Sequence, residues 1–304
     1  MTMNYYAVAP TDTQHACEQL LSAIAASHAQ GHWFALLDTA FDDGRRALRG
    51  FPENWPVYHQ GKYASFKTIS PTLIPLPAGN ETLLRQQISS LLHHASGRPM
   101  LSFIHSLATP LTLRDGWQDS LEIETADGES FLLRFADTRT LPAIASVLHE
   151  QAWPHLCKNI EQWLTIARDG RVQALPVIAA ERTASEATST SARMNRIDDK
   201  ALAKLLRLGQ ADVLANALNE HFPDLLPRKD GALVYRWLTE ARALADQNGL
   251  EAFPDQMALA VAICSTNGEL LRNEDFVVWL CQPNWADGTF SDALSDFVAL
   301  HFDA

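Results

Sequence analysis

The chain has 304 residues, 47% of them hydrophobic and 20% charged, and a formal net charge of −12 at pH 7. This length is enough for one large domain or two smaller ones, each with its own core. The composition is typical of a soluble globular protein. The acidic balance argues against a nucleic-acid partner, because binding a phosphate backbone needs clustered Lys and Arg.

The start of the chain lacks the basic and apolar pattern of a signal peptide. Its apolar runs are too short or too amphipathic for a membrane span. The four cysteines have no CxxC spacing, which is typical of reduced, mostly buried thiols. We therefore expect a cytoplasmic protein that does not contact a membrane.

Apolar periodicity predicts alternating helices and strands along the first 180 residues. The predicted helices cover residues 13–30, 81–95, 110–117 and 141–153. The predicted strands cover residues 32–38, 100–105, 161–167 and 172–177. Residues 70–77 contain three prolines, which restrict them to an edge strand or a short strand.

Residues 121–141, LEIETADGESFLLRFADTRTL, have the pattern of a β-hairpin. Apolar and polar residues alternate on both sides of a turn at Ala126-Asp127-Gly128. Phe131, Leu133 and Phe135 should lie on its buried face. We expect the rest of the chain to be arranged around this hairpin.

The composition changes between Ala180 and Arg193, a segment that is rich in Ser and Thr and lacks large apolar residues. This segment is predicted to be an exposed linker. After it, helical patterns cover residues 197–208, 211–222, 232–248, 255–266, 273–281 and 290–302. The prediction is an α/β (α+β) N-terminal lobe with a mixed sheet (1–180), a linker (181–195) and a small all-α lobe (196–304).

No complete catalytic or metal-binding motif is present. His149-Glu150 begins like the zinc motif HExxH, but the next histidine is His155, two positions too far along. The chain also lacks the GxSxG, GxGxxG and P-loop patterns. We therefore expect no cofactor, no metal and no catalytic residues.

Asp38, Arg134, Asp137 and Arg139 form the polar set of greatest interest. Asp38 and Asp137 lie at or just after the ends of predicted core strands, where sites often form in α/β sheets. We interpret the set as structural ion pairs that hold the connecting loops. A catalytic acid–base pair is the alternative, but neighbouring guanidinium groups would lower the carboxylate pKa values.

Three short motifs follow one another along the first part of the chain. They are Trp33–Asp38 (WFALLD), the proline-containing Leu73–Leu76, and Arg134–Arg139 (RFADTR). This order resembles the type VI secretion effector chaperones, also called adaptor proteins, whose last motif usually has proline where Thr138 stands here. The resemblance covers residues 33–173, and the helices from Ala241 onward fit more loosely.

The resemblance implies a non-enzymatic protein of the bacterial cytoplasm. Such a protein binds the N-terminal region of a cognate toxic effector and helps load it onto the secretion spike, VgrG, which is a further expected partner. The family has no catalytic residues to carry over. Aromatic residues of the helical lobe are candidate effector contacts, with core packing as the alternative for each: Tyr235, Trp237, Trp285, Phe290 and Phe297.

Two other functions are kept open. A hydrolase or transferase would use Asp38 and Asp137 as acid and base, and it predicts that both carboxylates face one cavity with no arginine between them. An acidic immunity protein would block the active site of a toxin and protect cells from it.

Overall fold

The computed structural model describes residues 6–27, 30–42, 51, 53–150, 152–178, 196–226, 230–282 and 289–302. The chain divides into two compact units. The α/β unit is Pro10–Leu208, and the helical unit is Met1–Ala9 with Gly209–Ala304. The predicted linker at 181–195 lies outside the described residues. The predicted fold class is confirmed, since a sheet with helices comes first and an all-helical region follows.

Eight strands occur in the described part of the α/β unit. They are β1 (His32–Asp38), β2 (Trp55–Pro56), β3 (Pro71–Pro75), β4 (Leu101–Ser106), β5 (Glu122–Glu124), β6 (Ser130–Leu132), β7 (Ile160–Ile166) and β8 (Val172–Ala174). Six of them form one sheet in the order β2-β3-β1-β4-β7-β8. Every neighbouring pair in this sheet is antiparallel.

Strands β1 and β4 form the centre of this sheet. All residues of β4, and all of β1 except His32, are buried. Burial on both faces explains the continuous apolar run of residues 33–37 in β1. The sheet, and not the hairpin, is therefore the element around which this unit is built.

The hairpin forms, but it is a separate two-stranded sheet of β5 and β6. Gly128 has a φ of 87° in its turn, a conformation that glycine adopts without strain. The expected buried face is wrong at Phe131, whose surface is 46% exposed. Leu133 and Phe135 are buried as expected, although both follow the end of β6. The Leu133 backbone N–H still donates to Leu121 O at 2.7 Å.

In the described part of the α/β unit, five α-helices lie between positions 13 and 156: α1 (Thr13–Ala26), α2 (Glu81–Ala95), α3 (Pro110–Gly116), α4 (Leu141–Val147) and α5 (Ala152–Leu156). Asp12 caps α1 by accepting from the His15 backbone N–H at 3.0 Å, and Asn80 caps α2 in the same way. The helix predicted over 141–153 begins at Leu141 as expected, but its predicted end is wrong, because α4 ends at Val147. Pro154 lies within the first turn of α5, where its missing N–H breaks no helical hydrogen bond.

Three tryptophans organise the core of the α/β unit. The rings of Trp117 and Trp153 stack on Trp163 at centroid distances of 6.2 and 5.2 Å. Each buried indole N–H has an acceptor: Leu156 O, Pro176 O and Ser102 Oγ, respectively. Large aromatic area is thus buried without an unsatisfied donor.

The helical unit contains α7 (Gly231–Gln247), α8 (Phe253–Ser265), α9 (Glu274–Leu280) and α10 (Phe290–Phe302). The helices predicted at 197–208 and 211–222 form one helix, α6 (Asp199–His221), within which the division between the two units falls. Gly209 is tolerated inside α6 at a cost of about 1 kcal/mol relative to alanine. Among the described residues, no helix combines the length and apolarity needed to cross a bilayer.

Candidate functional site

The candidate polar site begins at the end of β1. Asp38 is 2% exposed, and its backbone N–H donates to Met100 O at 2.8 Å. Its carboxylate accepts the Ala40 backbone N–H at 3.1 Å and so caps the short 3₁₀ turn Thr39–Phe41. The strand end and the turn together hold this carboxylate in place.

Arg134 reaches Asp38 across 96 positions of sequence. Its Nη2 donates to Asp38 Oδ2 at 2.9 Å, while 41% of the arginine side chain remains exposed. Thr140 Oγ1 donates to Arg134 O at 2.8 Å, and the Thr138 backbone N–H donates to Pro99 O at 3.0 Å. These bonds hold the turn that carries Arg134 against the sheet.

Asp137 and Arg139 form a second, bidentate pair. Arg139 Nη2 donates to Asp137 Oδ2 at 2.8 Å, and Nε donates to Oδ1 at 3.1 Å. The Arg139 backbone N–H also donates to Oδ1, at 3.0 Å. Asp137 is 2% exposed, so its charge is balanced almost entirely by this fork-shaped contact.

Phe41 brings the two ion pairs into one cluster. The guanidinium carbons of Arg134 and Arg139 lie 5.1 and 5.3 Å from the centroid of its buried ring. Both distances are within the range of cation–π attraction. This role of Phe41 was not predicted from the sequence.

The cluster extends to Asp42, Arg98 and His94. Arg98 Nη1 donates to Phe41 O at 3.2 Å and lies 3.4 Å from Asp42 Oδ1. His94 Nε2 is 2.7 Å from the same carboxylate oxygen. Three arginines thus face three aspartates at this end of the sheet, which makes the cluster nearly neutral.

Burial raises the pKa of Asp38 above its ordinary value of 3.8, and the nearby charge of Asp137 adds to this increase. The charge and hydrogen bond of Arg134, and the Ala40 N–H, lower the pKa and only partly offset the burial. Burial and the Asp38 charge also raise the pKa of Tyr58, to about 12. The ionised form of Asp38 is therefore stabilised mainly by Arg134.

This geometry differs from the one that the acid–base hypothesis predicts. Asp38 and Asp137 each bind their own arginine. Neither carboxylate lines either of two pockets on the described surface. One is a polar pocket of about 570 Å³ beside Tyr63 and Glu122. The other is an apolar groove of about 550 Å³, which is described below. No group of three or more His, Cys, Asp or Glu residues in the described ranges is arranged to hold a metal ion.

The structure places three of the five candidate effector contacts in the core of the helical unit. Trp237, Phe290 and Phe297 are each less than 9% exposed. Tyr235 is partly buried against the same core, and Trp285 lies outside the described residues. A partner of this unit would reach other side chains.

One surface of the helical unit does expose apolar side chains around a groove. The groove lies between α8 and α10 and is bordered by the end of α6. Its lining comprises His221, Phe222, Pro254, Met257, Ala258, Val261, Ala262, Ser265, Ser291, Leu294, Ser295 and Val298. This surface was not predicted from the sequence, because it forms only when the faces of two helices meet.

Residues 33–155 match the family model described as a domain of unknown function, DUF4123. The matched segment begins in β1 and contains Asp38 and the whole Arg134–Arg139 turn. It ends in α5, before the helical unit. The comparisons found no curated protein and no solved structure that matches the chain.

Proposed function

We propose that this protein is a non-enzymatic adaptor of type VI secretion, which binds a cognate toxic effector and helps load it onto the VgrG spike. One observation carries the proposal. The family-model match at residues 33–155 covers the segment whose three motifs, in their order, resemble the adaptor family.

The geometry of the polar cluster supports a structural role for its charges. Asp38 and Asp137 are buried and hydrogen-bonded to arginine. Asp38 therefore holds the turn against β1 through Arg134, and Asp137 fixes Arg139 within the same turn. Such a role suits a scaffold that presents surfaces to a partner. In this proposal the partner is a protein, and the function of the chain is to bind it.

Co-expression tests this proposal. The tagged chain is produced together with the products of the neighbouring genes and purified at low and at high salt, and its partners are identified by mass spectrometry. We expect a stable stoichiometric complex with a secretion effector, with VgrG, or with both. Deleting the gene should then stop secretion of that effector and leave secretion of other effectors unchanged.

Two results would contradict the adaptor function. If nothing co-purified and the neighbouring genes had no link to secretion, the adaptor proposal would be wrong, and substrate screening of the Asp38 and Asp137 region would follow. If the chain bound a toxin and protected cells from it without affecting its secretion, the protein would be an immunity protein.

A further inference from the structure

The groove of the helical unit is built from one continuous face of each bordering helix. On α8 the lining positions are 254, 257, 258, 261, 262 and 265, and on α10 they are 291, 294, 295 and 298. Both sets follow the i, i+3, i+4, i+7 spacing of one helix face. The groove therefore runs along two packed helices, a shape that can accept a third helix.

The lining is more apolar than its serines suggest. Ser265 Oγ donates to Ala262 O at 2.9 Å, and Ser295 Oγ donates to Ser291 O at 2.8 Å. These hydroxyl groups are bonded back to their own helices. Phe222, which directly follows α6, is 45% exposed beside the groove. A volume of about 550 Å³ can hold several apolar side chains.

The surroundings of the groove are strongly acidic. Residues 209–304 contain 15 Asp and Glu against 5 Lys and Arg, so they carry −10 of the net charge of −12. Between positions 251 and 302, eight residues are acidic and one, Arg272, is basic. Asp292 and Asp296 are exposed on α10, next in sequence to the lining residues Ser291 and Ser295. Glu220 is exposed on α6, next in sequence to the lining residue His221.

We propose that this groove binds a basic amphipathic helix of the effector, an assignment of the partner that rests on the proposed adaptor function. Apolar side chains at i, i+3 or i+4, and i+7 of that helix enter the groove. Its Lys and Arg residues lie along the edges, opposite Asp292, Asp296 and Glu220. The field of the helical unit draws such a segment toward the groove.

Charge also argues against other occupants. A second copy of this chain carries the same net charge of −12, and its helical unit would repel this one. An anionic lipid surface would be repelled in the same way. A basic helix is the partner for which both the apolar lining and the acidic edges are favourable.

Fluorescence anisotropy with synthetic peptides tests the groove directly. The probe is an 18-residue peptide with leucine at the i, i+3, i+4 and i+7 positions and lysine on the remaining face. The controls are the same peptide with glutamate in place of lysine and a scrambled peptide of identical composition. We expect the lysine peptide to bind the full-length protein at least about tenfold more tightly than either control.

The matched variants are Ser295→Arg and Ser90→Arg. Ser295→Arg fills the groove and adds a positive charge, so we expect it to weaken binding of the lysine peptide about tenfold or more. Ser90→Arg makes the same change at an exposed position of α2, and it should leave the affinity unchanged. Asp296→Lys should weaken binding without filling the groove.

Several outcomes would overturn the groove proposal. They are absence of peptide binding, equal binding of the lysine and scrambled peptides, and insensitivity of binding to Ser295→Arg. A dimer that dissociates on Ser295→Arg would instead make the groove a contact between copies of this chain.

The co-purified effector separates the two proposals. If the effector binds equally well to the wild-type chain and to Ser295→Arg, the groove proposal fails and the adaptor function stands. If no effector or spike protein binds, the adaptor function fails, and the peptide experiment still decides whether the groove accepts a basic helix.

Discussion

The two units of this protein use charge in opposite ways. The α/β unit is nearly balanced, with 21 acidic and 19 basic residues between positions 10 and 208. It buries aspartates against arginines at one end of its sheet. The helical unit has three acidic residues for each basic one, with exposed carboxylates on α10 beside an open apolar groove.

This difference shows that the net charge of −12 does not describe the whole molecule. In the α/β unit the buried charges stabilise the fold, because removing either member of a buried ion pair leaves the other charge uncompensated. In the helical unit charge is available to a partner. The family match ends at residue 155, so the groove lies outside the matched segment and can be specific to this chain.

The largest expected effect comes from removing one member of the bidentate pair. Asp137→Ala leaves Arg139, whose side chain is 12% exposed, without its carboxylate. We expect the free energy of unfolding of the α/β unit to fall by about 3–5 kcal/mol. Hydrogen exchange followed by mass spectrometry should show faster exchange in β1 and β4 and unchanged exchange in α7 and α8.

Asp169→Ala is the matched control for this variant. Asp169 also accepts the backbone N–H of an arginine two positions later, Arg171, at 3.0 Å. Its side chain is 53% exposed, so its removal should change the stability by no more than about 0.5 kcal/mol. Full stability of Asp137→Ala together with loss of effector binding would mean that Asp137 contacts the partner directly.

Arg134→Ala should have a smaller effect, and one that depends on pH. The loss of Arg134 leaves a buried carboxylate unpaired, which costs about 1–3 kcal/mol. The pKa of Asp38 in the folded protein is already raised above 3.8. The folded protein therefore holds this proton more tightly than the unfolded chain, and ionisation of Asp38 lowers stability as the pH rises through its folded pKa.

Without Arg134 that pKa rises further, so the destabilisation should be larger at pH 8 than at pH 4. Urea unfolding at the two pH values measures the difference. Adding Asp38→Asn to Arg134→Ala should remove most of the pH dependence. A loss of stability that is equal at both pH values would show that Arg134 acts through packing and not through its charge.

Phe41→Leu tests the ring that joins the two ion pairs. Leucine keeps an apolar side chain but loses the attraction between the ring and two guanidinium groups, each worth about 0.5–1 kcal/mol. We expect a loss of about 1–2 kcal/mol in urea unfolding. If Phe41→Leu in the Asp137→Ala background cost as much as it does alone, the ring and the second ion pair would be energetically independent.

The sequence predicted most of the regular structure because burial patterns are local. Strand β1 and helices α2 and α10 have the predicted bounds, since β1 is a short continuous apolar run and the two helices have a strong apolar period. Helix α6 was predicted as two helices because Gly209 interrupts the pattern. The hairpin was wrongly predicted to be the element around which the chain is arranged, because alternation alone does not reveal which sheet a strand joins.

The polar set was found because its members stand at strand ends, a position that can be read from the sequence. Phe41 and Arg98 were missed because their roles depend on contacts between elements that are distant along the chain. The groove was missed for a related reason. Ser291 and Ser295 look like a solvated face, and only the packing of α10 against α8 converts that face into a lining.

The smallest expected effect on stability is that of Ser295→Arg, which should have the largest effect on peptide binding. Ser295 is exposed, and arginine has a higher helix propensity than serine. A positive charge on this acidic unit also reduces its self-repulsion. We therefore expect the free energy of unfolding to change by less than about 0.5 kcal/mol. Urea unfolding of Ser295→Arg and of Ser90→Arg measures this change. A loss above about 1 kcal/mol for Ser295→Arg alone would mean that the groove face is needed for folding. The helical unit would then use this surface for stability, as the α/β unit uses its ion pairs, and the contrast between the two units would fail.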